Sequence, residues 1–156
     1  MDFDKRLQEA ISRGQRQHAA KAMDNARQAV SEEELRRLHS QYRLELSDHI
    51  EQAVRQLPDH FPGFRYESVS GERGWGAGIS RDDARRGGNS FSRLEVAVRP
   101  YSASQVLELT AKGTIANKEL FNRTHFQRIW EVDLASYRQM IDLWILEYAE
   151  RYAAQA

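Results

Sequence analysis

The sequence predicts an α+β fold: an N-terminal helix or helix pair, an antiparallel sheet of about four strands, and a long C-terminal helix packed on one sheet face. Apolar residues recur with a helical period before residue 58 and again after residue 133. Between these segments they alternate with polar residues, which is the period of a strand. Because 156 residues is the length of one domain, we expect residues 1–156 to form a single α+β domain.

Composition and charge exclude several classes of protein. Lys+Arg and Asp+Glu are both 23, so the chain lacks the basic excess of a nucleic-acid-binding tail. It has no cysteine, which excludes a disulfide framework, a thiolate nucleophile and cysteine-ligated zinc or iron–sulfur centres. The acidic N-terminus does not resemble a secretory signal, and no apolar run approaches the roughly 20 residues that span a bilayer. We therefore expect a cytoplasmic protein with no membrane partner.

Residues 2–30 have the pattern of a helix, but they carry few large apolar side chains. Phe3, Leu7 and Ile11 follow a helical period, and a stripe of alanines with Met23 is rotated away from them. Burying so few groups offsets little of the entropy that the segment loses on ordering. We therefore expect residues 1–30 to be an extended or partner-docking helical segment.

A capping box predicts that a second helix begins just after Ser31. The Ser31 side chain can accept a hydrogen bond from the Glu34 amide, and the Glu34 side chain can reach back to the Ser31 amide. Val30 can pack on Leu35 across this cap. The apolar face of the predicted helix then comprises Leu35, Leu38, Tyr42, Leu46, Ile50, Ala53 and Leu57. The alternative is one continuous helix over residues 3–57, and the sequence leaves both open.

An alternating pattern predicts four strands after this helical region. They are placed at residues 64–69, 75–80, 91–99 and 106–116, with a hairpin turn over 71–74 and a polar loop over 82–90. Leu94, Val96 and Val98 share one face, and the opposite face is mainly polar. This contrast is typical of an antiparallel sheet that is covered on one side. Residues 117–132 keep no clean period, and the sequence does not decide their structure.

A last helix is predicted to begin after Asp133, which can cap it. Its apolar stripe comprises Leu134, Tyr137, Ile141, Trp144, Ile145, Tyr148 and Tyr152. Burial of six or seven such groups contributes on the order of 10 kcal/mol before entropy is counted. We therefore expect this helix to cover the apolar face of the sheet.

The sequence contains no catalytic or metal-binding motif. None of its five histidines forms an i,i+4 pair, so no helix offers a zinc pair. The serines lack a GxSxG context, and the glycines of residues 71–78 match neither phosphate-loop pattern. These observations favour a non-enzymatic protein with no metal and no cofactor, although they leave enzyme activity open.

An arginine cluster is the candidate binding site. Its members are Arg81, Arg85, Arg86, Arg93 and Arg99, with Trp75 nearby. Guanidinium groups suit phosphate contacts, and the indole ring suits base stacking. The intervening Asp82, Asp83 and Glu95 favour the alternative of a solvated face with local ion pairs.

Three functional hypotheses follow. The favoured one is a protein-interaction or adaptor module that forms a homodimer or larger homo-oligomer, or binds a protein partner, through residues 2–30. The second is binding of nucleic acid or a phosphate ligand by the arginine cluster. The third is small-molecule binding between the sheet and the C-terminal helix, with Tyr66, Trp75, Trp144 and Tyr148 as walls.

Overall fold

A computed structural model describes residues 2–85 and 88–155, with the backbone alone described at 27–30, 84 and 85. The chain divides into two compact units, Met1–Arg37 and Leu38–Ala156. The helices are α1 (Asp2–Val54), α2 (Leu57–His60) and α3 (Leu134–Gln155), and a 3₁₀ turn occupies Ile129–Glu131. The strands are β1 (Arg65–Val69), β2 (Trp75–Arg85), β3 (Gly88–Val98), β4 (Val106–Ile115) and β5 (Lys118–Arg128). Within the described residues, no helix is both long enough and apolar enough to cross a membrane.

The capping box does not begin a new helix, because Ser31 lies inside α1. The Glu34 carboxylate accepts a hydrogen bond from Arg37 Nε at 3.0 Å, one turn ahead, instead of capping Ser31. Neither glycine nor proline occurs between residues 15 and 57, so nothing in the sequence forces a break there. The prediction of a separate helix start after Ser31 is wrong, and the single-helix alternative holds for Asp2–Val54.

The sheet is a five-stranded antiparallel meander in the order β1-β2-β3-β4-β5. The predicted antiparallel sheet is therefore confirmed, with one strand more than the four that the alternating pattern placed. The additional strand, β5, occupies most of the region 117–132 that the sequence left undecided. Its pairing with β4 runs from Val106↔Arg128 to Ile115↔Lys118, so β5 forms one edge of the sheet.

At its described residues, 82–85 and 88–90, the predicted polar loop is instead a continuation of the β2–β3 hairpin. The two strands pair from Asp82↔Phe91 out to Arg85↔Gly88. The Asn117 side chain supports this extension, because its amide oxygen accepts from Phe91 N at 2.8 Å and its nitrogen donates to the Asn89 carbonyl at 3.1 Å. The loop prediction is wrong because this part of the hairpin extends beyond the neighbouring strands and is polar, so it gives no alternating apolar pattern. The pairing with β1 ends at Ser80, and the pairing with β4 ends at Arg93.

The core lies between one face of the sheet and two helices, α3 and the C-terminal part of α1. Leu94, Val96 and Val98 are fully buried, as the alternating pattern predicts. The helices contribute Leu46, Ile50 and Val54 from α1 and Tyr137, Ile141, Trp144, Ile145 and Tyr148 from α3. The predicted cover of the sheet by a long C-terminal helix is therefore confirmed.

Candidate functional site

The predicted arginine cluster is divided between the two faces of the sheet. Arg93 and Arg99 lie on the polar face, where Arg93 Nη2 is 3.0 Å from a Glu67 carboxylate oxygen and Arg99 Nη1 donates to the Arg73 carbonyl at 3.0 Å. Trp75 lies on the helix-covered face, with the guanidinium of Arg43 from α1 4.2 Å from its ring centre. The structure therefore does not bring Trp75 together with Arg93 and Arg99.

Arg81 is held by local partners on the helix-covered side. Its Nε donates to Asp83 at 2.7 Å and its Nη1 donates to the Pro62 carbonyl at 2.7 Å. The hydrogen bond to Asp83 raises the pKa of Arg81 above its ordinary value. Gly63 has φ 105°, and a Cβ there would lie 2.9 Å from the Arg81 guanidinium. These contacts give Arg81 a structural role in fixing the chain before β1.

The structure describes only the backbone of one of the remaining two members, Arg85. Arg85 is the last residue of β2, and its pairing with Gly88 is described. The Arg85 side chain and the whole of Arg86 lie outside the described residues. A phosphate contact by these two arginines therefore stays a prediction.

A groove of about 260 Å³ crosses the polar face of the sheet beside Arg99. Its lining residues are Arg73, Glu95, Ala97, Arg99, Thr110, Lys112 and Asn122. Three of these side chains are cationic and one, Glu95, is anionic. One oxygen of Glu95 is buried without a hydrogen-bond partner, yet it lies 3.6 Å from Arg93 and 3.7 Å from Arg73. This arrangement leaves Arg99 and Lys112 as cations that can face an anion.

Two of the residues predicted to line a small-molecule site between the sheet and α3 instead fill that space. Trp144 and Tyr148 belong to the buried core, and the Tyr148 hydroxyl donates to the Thr114 carbonyl at 2.9 Å. A Cβ on Gly113 would lie 3.1 Å from the rings of Phe121 and Tyr148, so α3 approaches the sheet closely there. This packing does not favour a ligand between the sheet and α3.

A second groove, which the sequence analysis missed, lies between the helices of the C-terminal unit. His49 Nε2 of α1 lies 2.9 Å from the Asp142 carboxylate of α3, so the two helices are neighbours. Beyond this pair, α3, α2 and the end of α1 enclose a groove of about 640 Å³, lined by Ala53, Gln56, Leu57, His60, Phe61, Asp142, Ile145, Leu146 and Ala149. We call it the interhelix groove.

The rim of the interhelix groove exposes apolar surface. Leu146 is 63% exposed on α3, and Leu143, outside the groove, is 57% exposed. The sequence indicates this exposure, because Leu143 and Leu146 lie outside the apolar stripe that α3 buries. An exposed leucine is common, but Leu146 at the rim of an apolar groove marks a candidate binding surface.

Most described side chains of the N-terminal unit are exposed to solvent, although Leu35 is buried. Every residue from 2 to 26 is exposed, as are residues 31–34. Phe3, Leu7 and Ile11 are 71%, 45% and 52% exposed and follow one another at i,i+4 spacing. We call these three side chains the apolar row. Arg6 and Arg13 border the same shallow surface as Phe3 and Leu7.

Among the residues that the structure describes, no three His, Asp or Glu side chains come close enough to hold a metal ion. Comparisons with protein families, with curated proteins and with solved structures found no match to this chain.

Proposed function

We propose that the protein is a non-enzymatic interaction module that self-associates, with residues 2–30 as its docking segment. The observation that carries this proposal is the exposure of the apolar row at Phe3, Leu7 and Ile11. Each such side chain contributes about 1.5–3 kcal/mol when it moves from water into an apolar contact. Docking on a protein surface would supply that burial.

The charges around the apolar row favour a protein surface over a lipid surface. A helix that lies on a membrane has a polar face rich in Lys and Arg. Here the acidic Asp2, Asp4 and Glu9 are interspersed with the basic Lys5 and Arg6. Such a mixture would be repelled in part by anionic lipid, whereas it can pair with both signs on a protein.

Light scattering of the full chain tests self-association. We expect the wild type to have more than the monomer mass at micromolar concentration. A variant with Leu7→Glu and Ile11→Glu, called the helix variant, should be a monomer because two charges replace apolar contacts. A matched control with Gln8→Glu and Ser12→Glu adds the same charge on another side of the helix and should keep the wild-type mass. A wild type that is monomeric at every concentration contradicts the proposal.

Anion binding in the polar-face groove is the second candidate. Its support is the excess of cations among the lining residues, where Arg73, Arg99 and Lys112 accompany a single carboxylate. Retardation of single-stranded RNA at about 50 mM salt should then be detectable and should weaken steeply as salt rises. Lys112→Glu should abolish it, whereas Lys118→Glu, outside the groove, should not. No retardation by the wild type removes this candidate.

A further inference from the structure

The interhelix groove combines a buried apolar floor with an open rim. Leu57 and Ile145 form buried parts of it, and the partly buried Ala53, Phe61 and Ala149 pack against the core beside them. Leu146, 63% exposed, stands at the rim. A groove of this kind suits an amphipathic helix, which inserts side chains spaced one turn apart.

The length of the groove matches the length of the apolar row. The groove follows α3 from Asp142 to Ala149, which is about 10 Å at a rise of about 1.5 Å per residue. The apolar row from Phe3 to Ile11 spans about 12 Å by the same measure. Three side chains at i,i+4 spacing would therefore fill the groove from end to end.

Charge is also complementary between the two surfaces. Asp142 is the carboxylate that lines the groove, and its side chain is 53% exposed although one oxygen contacts His49. Arg6, Glu9 and Arg13 flank the apolar row on the helix that would enter, so two cations accompany one carboxylate there. Either guanidinium can pair with Asp142 when the row is inserted, which would also favour one orientation of the helix.

A coiled coil between two N-terminal helices fits the sequence less well. Such a pairing needs an apolar repeat sustained over at least about three heptads. The apolar row ends after Ile11, because Gly14, Gln15 and Gln17 follow within the next two turns. A row of only three large side chains suits a short groove better than a long coiled-coil interface.

We propose that the apolar row of one copy docks in the interhelix groove of a second copy of this chain. The proposal rests on the proposed function of residues 2–30, and it adds the receptor surface. Each copy carries one row and one groove, so two reciprocal dockings close a homodimer. Self-association then depends on Leu7 and Ile11 in one copy and on Leu146 in the other.

Complementation between two full-length variants tests this pairing. Leu146→Glu, called the groove variant, keeps the apolar row and places a charge at the rim of the groove. It should be monomeric, with association weakened at least about tenfold, as for an interface anchor. Leu143→Glu makes the same chemical change on the same helix outside the groove and should keep the wild-type mass. Both leucines are more than half exposed, so neither change disturbs the core.

Mixing the helix variant with the groove variant should restore association, because one retains a groove and the other retains a row. Each variant alone should stay monomeric at the same concentration.

If the groove variant alone keeps the wild-type mass while the helix variant is monomeric, the receptor is another surface. In that case the groove proposal is overturned and the proposed function stands. If the two variants are monomeric alone and remain so when mixed, the pairing is also overturned. If the wild type is monomeric, the proposed function fails as well.

Discussion

The Tyr137 hydroxyl donates a hydrogen bond of 2.7 Å to the carbonyl oxygen of Leu107, joining α3 to β4 within the core. Tyr148 makes a second connection further along the same helix, to the Thr114 carbonyl at 2.9 Å. Both tyrosines are almost completely buried. The pair fixes the position of α3 along the sheet, and therefore also the position of Leu146 and the interhelix groove.

Tyr137→Phe should lower the free energy of unfolding by about 1–2 kcal/mol, because it removes the hydroxyl while the ring still fills its site. Tyr137→Ala should cost more, about 3–5 kcal/mol, because it also leaves a cavity. Urea unfolding of the two variants measures both values. An unchanged midpoint for Tyr137→Phe would show that the hydrogen bond to Leu107 contributes nothing to stability.

The same tyrosines predict a loss of stability in alkali. Burial raises the pKa of Tyr137 and of Tyr148 well above the ordinary value of 10.0. In the unfolded chain these phenols ionise near pH 10, whereas in the folded chain they stay protonated, so their contribution is complete below pH 10 and decreases above it. The urea midpoint should fall as the pH rises above 10, and less steeply in a Tyr137→Phe/Tyr148→Phe double variant. An equal slope in both proteins would contradict this assignment.

His39 predicts a loss of stability in acid. It is buried, its Nε2 lies 3.2 Å from the Arg99 carbonyl oxygen, and its ring meets that of Tyr101 edge-on at 5.8 Å. Burial lowers the pKa of His39 below its ordinary value of 6.5, although the contact with Arg99 opposes this and the charge of Arg43 adds to it. The unfolded chain therefore takes up a proton first, and the contribution of His39 is lost as the pH falls below about 6.5.

Urea midpoints at pH 7.5 and pH 5.5 measure the effect of His39. The difference between them should shrink in His39→Gln, which cannot take up the proton. His18→Gln, at an exposed position, should keep the wild-type difference. If His39→Gln keeps the wild-type difference between the two urea midpoints, another group causes the acid sensitivity.

The sheet and its covering helix were predictable from sequence because their core positions are apolar, but β5 was not. Its core-facing positions include Arg123, which meets the Glu147 carboxylate of α3 at 2.7 Å, and Gln127, which donates to Ser136 at 3.0 Å. A strand whose inward side chains are polar and paired with a helix gives no alternating apolar signal. Only the three-dimensional partners reveal why these residues can lie on that face.

The candidate site was predictable only where it lay within one predicted strand. Arg99 follows Arg93 by six positions, just past the end of β3, so alternation places both on the same face. The strand predicted at 75–80 ended before Arg81, whereas β2 continues to Arg85. Arg81 lies two residues after the buried Ile79, so it shares the helix-covered face and not the face of Arg93. The interhelix groove escaped prediction because it depends on how α1, α2 and α3 lie beside one another.

The absence of cysteine makes the proposed docking accessible to disulfide trapping. Leu7 is the middle residue of the apolar row, and Leu146 lies at the rim, about halfway along the length of the groove. The two residues therefore approach each other whichever way the helix enters. A mixture of Leu7→Cys and Leu146→Cys proteins should therefore form a disulfide-linked heterodimer on mild oxidation. Cysteine Cα atoms must come within about 7 Å for such a bond.

Replacing the second protein with Leu143→Cys supplies the control, because that side chain is similarly exposed but lies outside the groove. The heterodimer should then form much more slowly, as chance collisions allow. Leu7→Cys alone should give little homodimer, since two apolar rows do not face each other in this arrangement. Rapid homodimer formation by Leu7→Cys alone would instead indicate that two N-terminal helices pair directly. Equal rates with Leu143→Cys and Leu146→Cys would show that the groove has no part in association.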